Sequence, residues 1–250
     1  MSQPHSCCPH GSHPKLPSEG NPKGSIEYIG GWNNYIVGDD SKTLIYFYDI
    51  FGLTGGRNKS LCDEISSWGY TVIMPDPLKG DYWPDDKPVG EDFFKWISSK
   101  KLEAFESYFL NFLLPELNAR GKTDIAIIGS CYGVWVSSRI CSASKEIKAL
   151  VGFHPSLQIE ELQGGSIQSL MSKVDQPTLF FPCGNDPKTI KKEGEVITLL
   201  TQTTHSKVEV HEMEAMVHGY VVRGDLKDPE ILKAYEETLQ ITKKFLAKYL

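Results

Sequence analysis

The chain alternates short, almost continuously apolar runs with segments of helical periodicity. The apolar runs cover residues 43–50, 71–75, 124–129, 150–154 and 177–183, and the helix-like segments cover 59–68, 102–118, 134–143, 166–174, 189–202 and 228–250. A hairpin is predicted over 25–29 and 35–37, and a late strand over 207–213. Runs that are apolar on both faces are typical of parallel strands covered by helices on both sides of the sheet. The pattern predicts an α/β chain with a mostly parallel, doubly wound sheet, in which ligands bind beyond the carboxyl ends of the strands.

Composition narrows the classes of function. The 250 residues carry 26 basic and 32 acidic side chains and a net charge of −6, which disfavours binding to the phosphates of nucleic acids. No run of about 18 apolar residues is present to cross a membrane, and no apolar segment near the N-terminus resembles a secretory signal. Six cysteines are too few for a disulfide-based fold of this length. We therefore expect a cytoplasmic monomer with reduced thiols and without nucleic-acid or membrane partners.

Residues 1–24 differ in composition from the rest of the chain. They are rich in Pro, Gly, Ser and His and lack apolar periodicity, so we predict a flexible N-terminal arm followed by a single domain over residues 25–250. The arm contains Cys7, Cys8, His10 and His13, which form a candidate metal site. Adjacent cysteines fit one tetrahedral metal poorly, so we expect no metal there.

The pentapeptide Gly129-Ser130-Cys131-Tyr132-Gly133 lies between a predicted strand and a predicted helix. It has the pattern of a nucleophile elbow, a sharp strand-to-helix turn that exposes its central side chain, with cysteine in place of the usual serine. Glycine is needed at the first and last positions because side chains there would clash in the turn. The alternative is a buried cysteine that packs as a small apolar side chain.

Two later strand ends carry an acid and a base. Asp186 follows the predicted strand 177–183, and His218 follows the predicted strand 207–213. Nucleophile, acid and histidine occur in this order in α/β hydrolases. A free thiol with a pKa of ~8.5 is mostly un-ionised at neutral pH and needs a base. His218 is therefore the candidate base and Asp186 the group that orients it, whereas a turn aspartate and a surface histidine are the alternatives.

Several motifs together resemble the dienelactone hydrolases, also called carboxymethylenebutenolidases. The resemblance extends over most of residues 25–250 and rests on D-I-F-G at 49–52, G-S-C-Y-G at 129–133, N-D-P-K-T at 185–189, H-G-Y at 218–220 and Arg223. It implies an α/β-hydrolase fold with a sheet of about eight strands. It also implies hydrolysis of a small lactone or ester through a cysteine nucleophile and a thioester intermediate, with no metal or organic cofactor.

The resemblance also implies roles for individual residues. Cys131 corresponds to the nucleophile, Asp186 to the orienting acid and His218 to the base. The backbone N–H groups of Ile50 and Tyr132 correspond to the oxyanion hole, and Tyr132 opens a helix whose dipole favours an anion.

Asp49 corresponds to a glutamate of bacterial members that contacts the thiol and helps to gate its activation. The side chain is one methylene shorter in this chain. A carboxylate that caps the loop is the alternative interpretation.

The substrate site implied by the resemblance has changed chemistry. Bacterial members bind a substrate carboxylate with two arginines. Arg223 lies near the position of one of these arginines. The other arginine is missing, and Lys79 near its position offers a point charge but cannot form two parallel hydrogen bonds to a carboxylate, as arginine does. His154, in the segment F-H-P-S, is interpreted as a pocket residue or as a hydrogen-bonded structural histidine. Trp83 is interpreted as part of the roof of the pocket or as part of the core.

Two further hypotheses remain open. The missing arginine is consistent with a thioesterase or carboxylesterase that acts on a different substrate. The incomplete substrate site and the shortened Asp49 are also consistent with a non-catalytic, redox-responsive protein that uses a reactive Cys131.

Overall fold

The computed structural model describes residues 9, 11–16, 20–84, 87–203 and 207–250. The strands in these ranges are β1 (Ser25–Ile29), β2 (Trp32–Val37), β3 (Thr43–Phe47), β4 (Thr71–Pro75), β5 (Ile125–Ser130), β6 (Ile147–Phe153), β7 (Thr178–Phe181) and β8 (Val208–Val210). They form one eight-stranded sheet in the order β1-β2-β4-β3-β5-β6-β7-β8. β2 pairs antiparallel with β1 and β4, and all other neighbours are parallel. The predicted mostly parallel α/β sheet is confirmed.

Helices connect the strands. They are α1 (Asn58–Ser66), α2 (Glu91–Ser99), α3 (Glu103–Tyr108), α4 (Leu114–Ala119), α5 (Tyr132–Ala143), α6 (Ile159–Leu162), α7 (Ile167–Met171), α8 (Glu195–Thr203), α9 (Tyr220–Arg223) and α10 (Pro229–Tyr249). Two 3-10 turns (Gly52–Thr54 and Lys188–Ile190) and one π-helical segment (Phe109–Leu113) complete the described elements.

The central strands are buried on both faces. Every residue of β3, β4 and β5 is buried, as their continuous apolar sequences predict for strands between two helical layers. By contrast, β1 lies at the edge of the sheet and is mostly exposed. The core therefore lies along the middle of the sheet, beneath the loops that follow β3, β5, β6 and β7.

The predicted hairpin and the predicted C-terminal helix both form. Gly30 and Gly31 join β1 to β2, and both have positive φ angles, of 58° and 91°. Asp228 caps α10 because its side chain accepts a hydrogen bond of 2.9 Å from the Glu230 N–H. Pro229 occupies the first helical position, where a missing N–H costs nothing.

Two predicted helices are interrupted, and three described helices, α2, α6 and α9, were not predicted. The predicted helix 102–118 divides into α3, the π-helical segment and α4, because Pro115 cannot donate to a carbonyl one turn earlier. The predicted helix 189–202 divides at Gly194, where a Cβ would lie 2.2 Å from the Thr189 carbonyl oxygen. The aromatic segment at 93–96 lies within α2, and its sequence had not indicated a helix.

The described part of the N-terminal arm touches the domain. The His13 N–H donates to the His218 carbonyl at 2.9 Å, and the Leu16 carbonyl accepts from the Gly56 N–H at 3.1 Å. Cys7, Cys8 and His10 lie outside the described residues.

Neither a metal cluster nor a bilayer-spanning helix occurs in the described ranges. No three His, Cys, Asp or Glu side chains there are grouped so that they could hold a metal ion. In the same ranges, every helix is too short or too polar to cross a bilayer.

Candidate active site

Cys131 occupies the turn between β5 and α5. Its backbone has φ 54° and ψ −116°, an unusual conformation for a residue with a side chain. A Cβ on Gly129 would lie 2.5 Å from the Gly133 carbonyl group, and one on Gly133 would lie 2.0 Å from the Phe47 carbonyl oxygen. Both flanking glycines are therefore required sterically, as the elbow pattern predicts.

The loop after β6 holds Cys131 from its other side. The Cys131 N–H donates to the Phe153 carbonyl at 3.0 Å, and its carbonyl accepts from the Ser156 N–H at 3.3 Å. The Ser156 hydroxyl donates to Cys131 Sγ at 3.4 Å. Both side chains are fully buried. Ser156 lies in the F-H-P-S segment, and no motif in the sequence indicated that it would contact the sulfur.

Asp186 and His218 form the hydrogen-bonded pair that the chain order predicts. His218 Nδ1 lies 2.6 Å from Asp186 Oδ1, and neither side chain is exposed. The other carboxylate oxygen, Asp186 Oδ2, accepts from the Cys183 N–H at 2.7 Å. The His218 N–H donates to Asn185 Oδ1 at 2.7 Å, so the loop after β7 fixes both the acid and the main chain of the histidine.

The surroundings of His218 favour its protonated form. Burial alone would lower the pKa of His218, but the negative charges of Asp186 and Cys131, together with the hydrogen bond to Asp186, raise it well above its usual value. The same three side chains are therefore coupled electrically, although they come from three different strand ends. Such coupling is typical of groups that exchange a proton.

Two N–H groups beside Cys131 are candidates for binding an oxyanion. Tyr132 is the first residue of α5. The N–H groups of the first helical turn point out of the N-terminus, where they can bind an anion. Ile50 lies in the loop after β3, and no acceptor for its N–H is found within the ranges that the structure describes. The tight approach of Gly133 to the Phe47 carbonyl brings that loop close to the elbow.

Asp49 and Arg223 pair with each other in the same region. Arg223 Nε lies 3.1 Å from Asp49 Oδ2, and both side chains are at least 98% buried, with 2% and 1% exposed. The guanidinium also lies over the Phe51 ring at 5.0 Å. Gly219 makes room for it, since a Cβ there would lie 2.4 Å from Arg223 Nη2.

The pKa of Asp49 reflects its burial and two charged neighbours. Burial raises the pKa of Asp49, Arg223 lowers it, and the negative charge of Cys131 raises it, with a net increase. Asp49 is thus electrically coupled to both the arginine and the thiol.

His154 lies against the catalytic histidine candidate. Its ring centroid is 4.7 Å from that of His218 and 6.1 Å from that of Tyr220. It is fully buried, has a positive φ of 40°, and neither ring nitrogen has a hydrogen-bond partner in the described part of the chain. Burial and the nearby His218 charge lower the pKa of His154 well below its usual value, which favours the neutral ring. The interpretation as a hydrogen-bonded structural histidine does not match this geometry.

Lys79 and Trp83 lie in the loops after β4, and both contact aromatic rings. Lys79 Nζ is 3.9 Å from the centre of the Trp32 ring and borders a cavity of about 300 Å³ that Tyr132 also lines. Trp83 is buried and packs edge-on against Phe93 at 5.2 Å between ring centroids. Trp83 connects to the site through its N–H, which donates to the Ile50 carbonyl at 3.0 Å.

The other described cysteines are less suited to act as nucleophiles. Cys62, Cys141 and Cys183 are buried, and burial raises the pKa of each thiol. None of them lies at an elbow followed directly by a helix N-terminus, as Cys131 does.

Comparison with known proteins identifies the family. The model of the Dienelactone hydrolase family matches residues 34–250. The chain belongs to the dienelactone hydrolase family. The resemblance drawn from the motifs is confirmed, and family membership supports a hydrolase of esters or lactones with a small-molecule substrate.

Individual relatives span most of the chain. An uncharacterised AIM2 family protein of Schizosaccharomyces pombe is 28% identical over 256 residues, covering 96% of this chain and 97% of the relative. A human carboxymethylenebutenolidase homologue is 27% identical over 205 residues, which cover 79% of this chain and 78% of the human protein. A dienelactone hydrolase-like promiscuous phosphotriesterase from metagenomic libraries shares the fold, with a TM-score of 0.64 and 13% identity over 96% of this chain and 99% of that chain.

Proposed function

We propose that the protein hydrolyses a small lactone or ester through Cys131, with His218 as the base and Asp186 as its orienting acid. The observation that carries this proposal is the buried 2.6 Å contact between His218 Nδ1 and Asp186 Oδ1. Because that contact fixes the ring, Nε2 is the nitrogen available to the thiol. The coupling of the His218 pKa to the charge of Cys131 supports the same arrangement.

Acylation begins with transfer of the thiol proton from Cys131 to His218. The sulfur then forms a bond to the substrate carbonyl carbon, and the carbonyl oxygen becomes an oxyanion that the N–H groups of Ile50 and Tyr132 bind. When the tetrahedral intermediate collapses, the C–O bond breaks and the alkoxide takes the proton from His218. A thioester remains on Cys131, and in a lactone the released hydroxyl stays attached to the acyl chain.

Deacylation repeats these steps with water. His218 takes a proton from the water, and the oxygen attacks the thioester carbonyl. The C–S bond then breaks, the acid product leaves, and the proton returns to the sulfur or stays on His218. No oxidant, reductant or metal is needed for this balance.

Arg223 and Asp49 give the site a means of responding to a substrate carboxylate. An anion that pairs with Arg223 removes the counterion of Asp49, which lies 3.1 Å away. The pKa of Asp49, already raised by burial, then rises further and favours the neutral form of its carboxyl group, which no longer repels a thiolate on Cys131. Lys79 supplies a second positive charge at the edge of the site, and the neutral ring of His154 offers hydrogen bonds to the substrate. Trp83 supports the oxyanion loop through the Ile50 carbonyl.

Trapping the thioester tests the proposal. The protein is mixed with an activated aryl ester, quenched in acid, and digested for mass spectrometry. We expect the acyl group on Cys131, and we expect Cys131→Ala to abolish turnover. Cys141→Ala is the matched control, because Cys141 is a buried cysteine at the far end of the same helix, and it should keep wild-type activity. Full activity in Cys131→Ala would overturn the proposal.

A further inference from the structure

The strongest feature that the hydrolytic steps leave unused is the hydroxyl of Ser156. It donates to Cys131 Sγ at 3.4 Å, and the N–H of the same residue donates to the Cys131 carbonyl at 3.3 Å. Ser156 is 0% exposed, so bulk water does not compete for the hydroxyl. A serine in this position therefore touches the reacting atom itself and also the backbone that carries it.

We infer that Ser156 is a further catalytic residue, whose hydroxyl stabilises the thiolate form of Cys131 whenever the sulfur is negatively charged. This inference rests on the proposed role of Cys131 as nucleophile. Its effect is separate from that of His218, because Ser156 donates a hydrogen bond without giving up its proton.

The contribution depends on the charge of the sulfur. Hydrogen bonds to an ionised acceptor are about twice as strong as those to a neutral one, and the sulfur of a thiol or thioester is a weak acceptor. The Ser156 hydroxyl therefore binds the thiolate more strongly than it binds the acyl-enzyme. It favours loss of the thiol proton before attack and favours expulsion of the thiolate when the C–S bond breaks.

The register of the sheet explains why the hydroxyl reaches the sulfur. β5 and β6 are parallel, with Ser130 opposite Phe153, so their carboxyl ends lie side by side. The chain then turns at His154, which has a positive φ of 40°, and Ser156 returns toward Cys131. A left-handed histidine costs free energy in the fold, and such strain is typical of functional loops.

The other ionisable groups around the sulfur must be considered in any pH experiment. Cys131 interacts electrically with His218, His154 and Asp49, and Asp49 pairs in turn with Arg223. A serine variant changes none of these charges, so a shift in the pH profile reports the lost hydrogen bond.

The test compares the alkylation of Cys131 by iodoacetamide in the wild type and in Ser156→Ala across pH, with the modified peptide quantified by mass spectrometry. We expect the rate near neutral pH to fall about tenfold and the midpoint of the rate profile to rise by about one pH unit, which is the same tenfold effect. The two profiles should approach each other at high pH, where the sulfur is ionised in both proteins. Ser156→Thr keeps a hydroxyl and should restore most of the rate.

Ser138→Ala is the matched control for loss of a buried hydroxyl. Ser138 is fully buried on α5, and its hydroxyl donates to the Val134 carbonyl at 2.8 Å rather than to the sulfur. It should leave the alkylation profile of Cys131 unchanged. An unshifted profile in a folded Ser156→Ala would refute the role of Ser156 alone. If wild-type Cys131 is neither alkylated ahead of the other cysteines nor acylated, the proposed function itself fails.

Discussion

Replacing Asp186 by asparagine probes the geometry of the site most directly. Its two oxygens accept from two different donors, His218 Nδ1 at 2.6 Å and the Cys183 N–H at 2.7 Å. An amide has only one oxygen, so Asp186→Asn cannot satisfy both. If the oxygen stays with the Cys183 N–H, the NH2 group faces His218 and forces the proton onto Nε2, where the base needs a lone pair.

The magnitude follows from these two arrangements. Forcing the wrong tautomer in a serine-protease triad lowers kcat about 10⁴-fold, equivalent to about 5.4 kcal/mol at 1.36 kcal/mol per tenfold. We expect a loss of about 10³- to 10⁴-fold here. If the amide turns over instead, the Cys183 N–H is left without an acceptor, at a cost of about 1–3 kcal/mol in the free energy of unfolding.

The assay measures kcat/KM for an activated aryl ester together with thermal unfolding. Asp63→Asn provides the control, because Asp63 is a buried carboxylate on α1 that binds the Tyr35 hydroxyl and the Lys23 N–H. That variant should lose stability and keep kcat/KM. The pH profile of kcat/KM in Asp186→Asn should also differ from that of the wild type, because the carboxylate that raises the pKa of His218 is gone. A variant within tenfold of wild-type kcat/KM would refute the assignment of Asp186.

Three further changes test the surroundings. Gly133→Ala should prevent folding, because its Cβ would lie 2.0 Å from the Phe47 carbonyl oxygen. Gly90→Ala is the control: a Cβ there has nothing within 4 Å, so the free energy of unfolding should fall by at most about 1 kcal/mol. Circular dichroism distinguishes the folded from the unfolded variant. His154 has a lowered pKa, so its contribution to the stability of the fold is present above about pH 6.5 and is lost as the pH falls. His154→Phe removes this pH-dependent contribution. The melting temperature of this variant should therefore fall less on acidification than that of the wild type. Arg223→Gln should reduce kcat/KM for anionic esters more than for neutral ones, and equal losses would contradict its role toward a carboxylate.

The parts of the site that the sequence predicts are those that topology alone determines. Cys131, Asp186 and His218 follow β5, β7 and β8, and the carboxyl ends of parallel strands meet at one edge of a sheet. The order of the three residues along the chain and the glycines of the elbow were therefore enough to predict that they follow strands at the same edge of the sheet. The meeting of the Asp186 and His218 side chains at 2.6 Å agrees with that reasoning.

Contacts that depend on register and rotamer were not predictable in the same way. Ser156 reaches the sulfur only because Ser130 lies opposite Phe153, and a single sequence does not fix the register of two parallel strands. The pairing of Asp49 with Arg223 joins a loop after β3 to the end of α9. The predicted roles of these two residues are separate, in gating and in substrate binding, and nothing in their local sequence patterns indicates that they touch.

Strand order separates the loop that carries Lys79 and Trp83 from the elbow. Both follow β4, and β3 separates β4 from β5 in the sheet. Neighbouring strands in a sheet are about 4.8 Å apart, so a loop after β4 begins roughly 10 Å farther along the edge than the elbow. A long side chain can still reach that far, and Lys79 borders the cavity that Tyr132 lines. A substrate that reacts with the thiol and also binds Lys79 must therefore extend across the loop of Asp49 and Ile50. Any carboxylate that Lys79 binds then lies at the end of the substrate remote from the scissile bond.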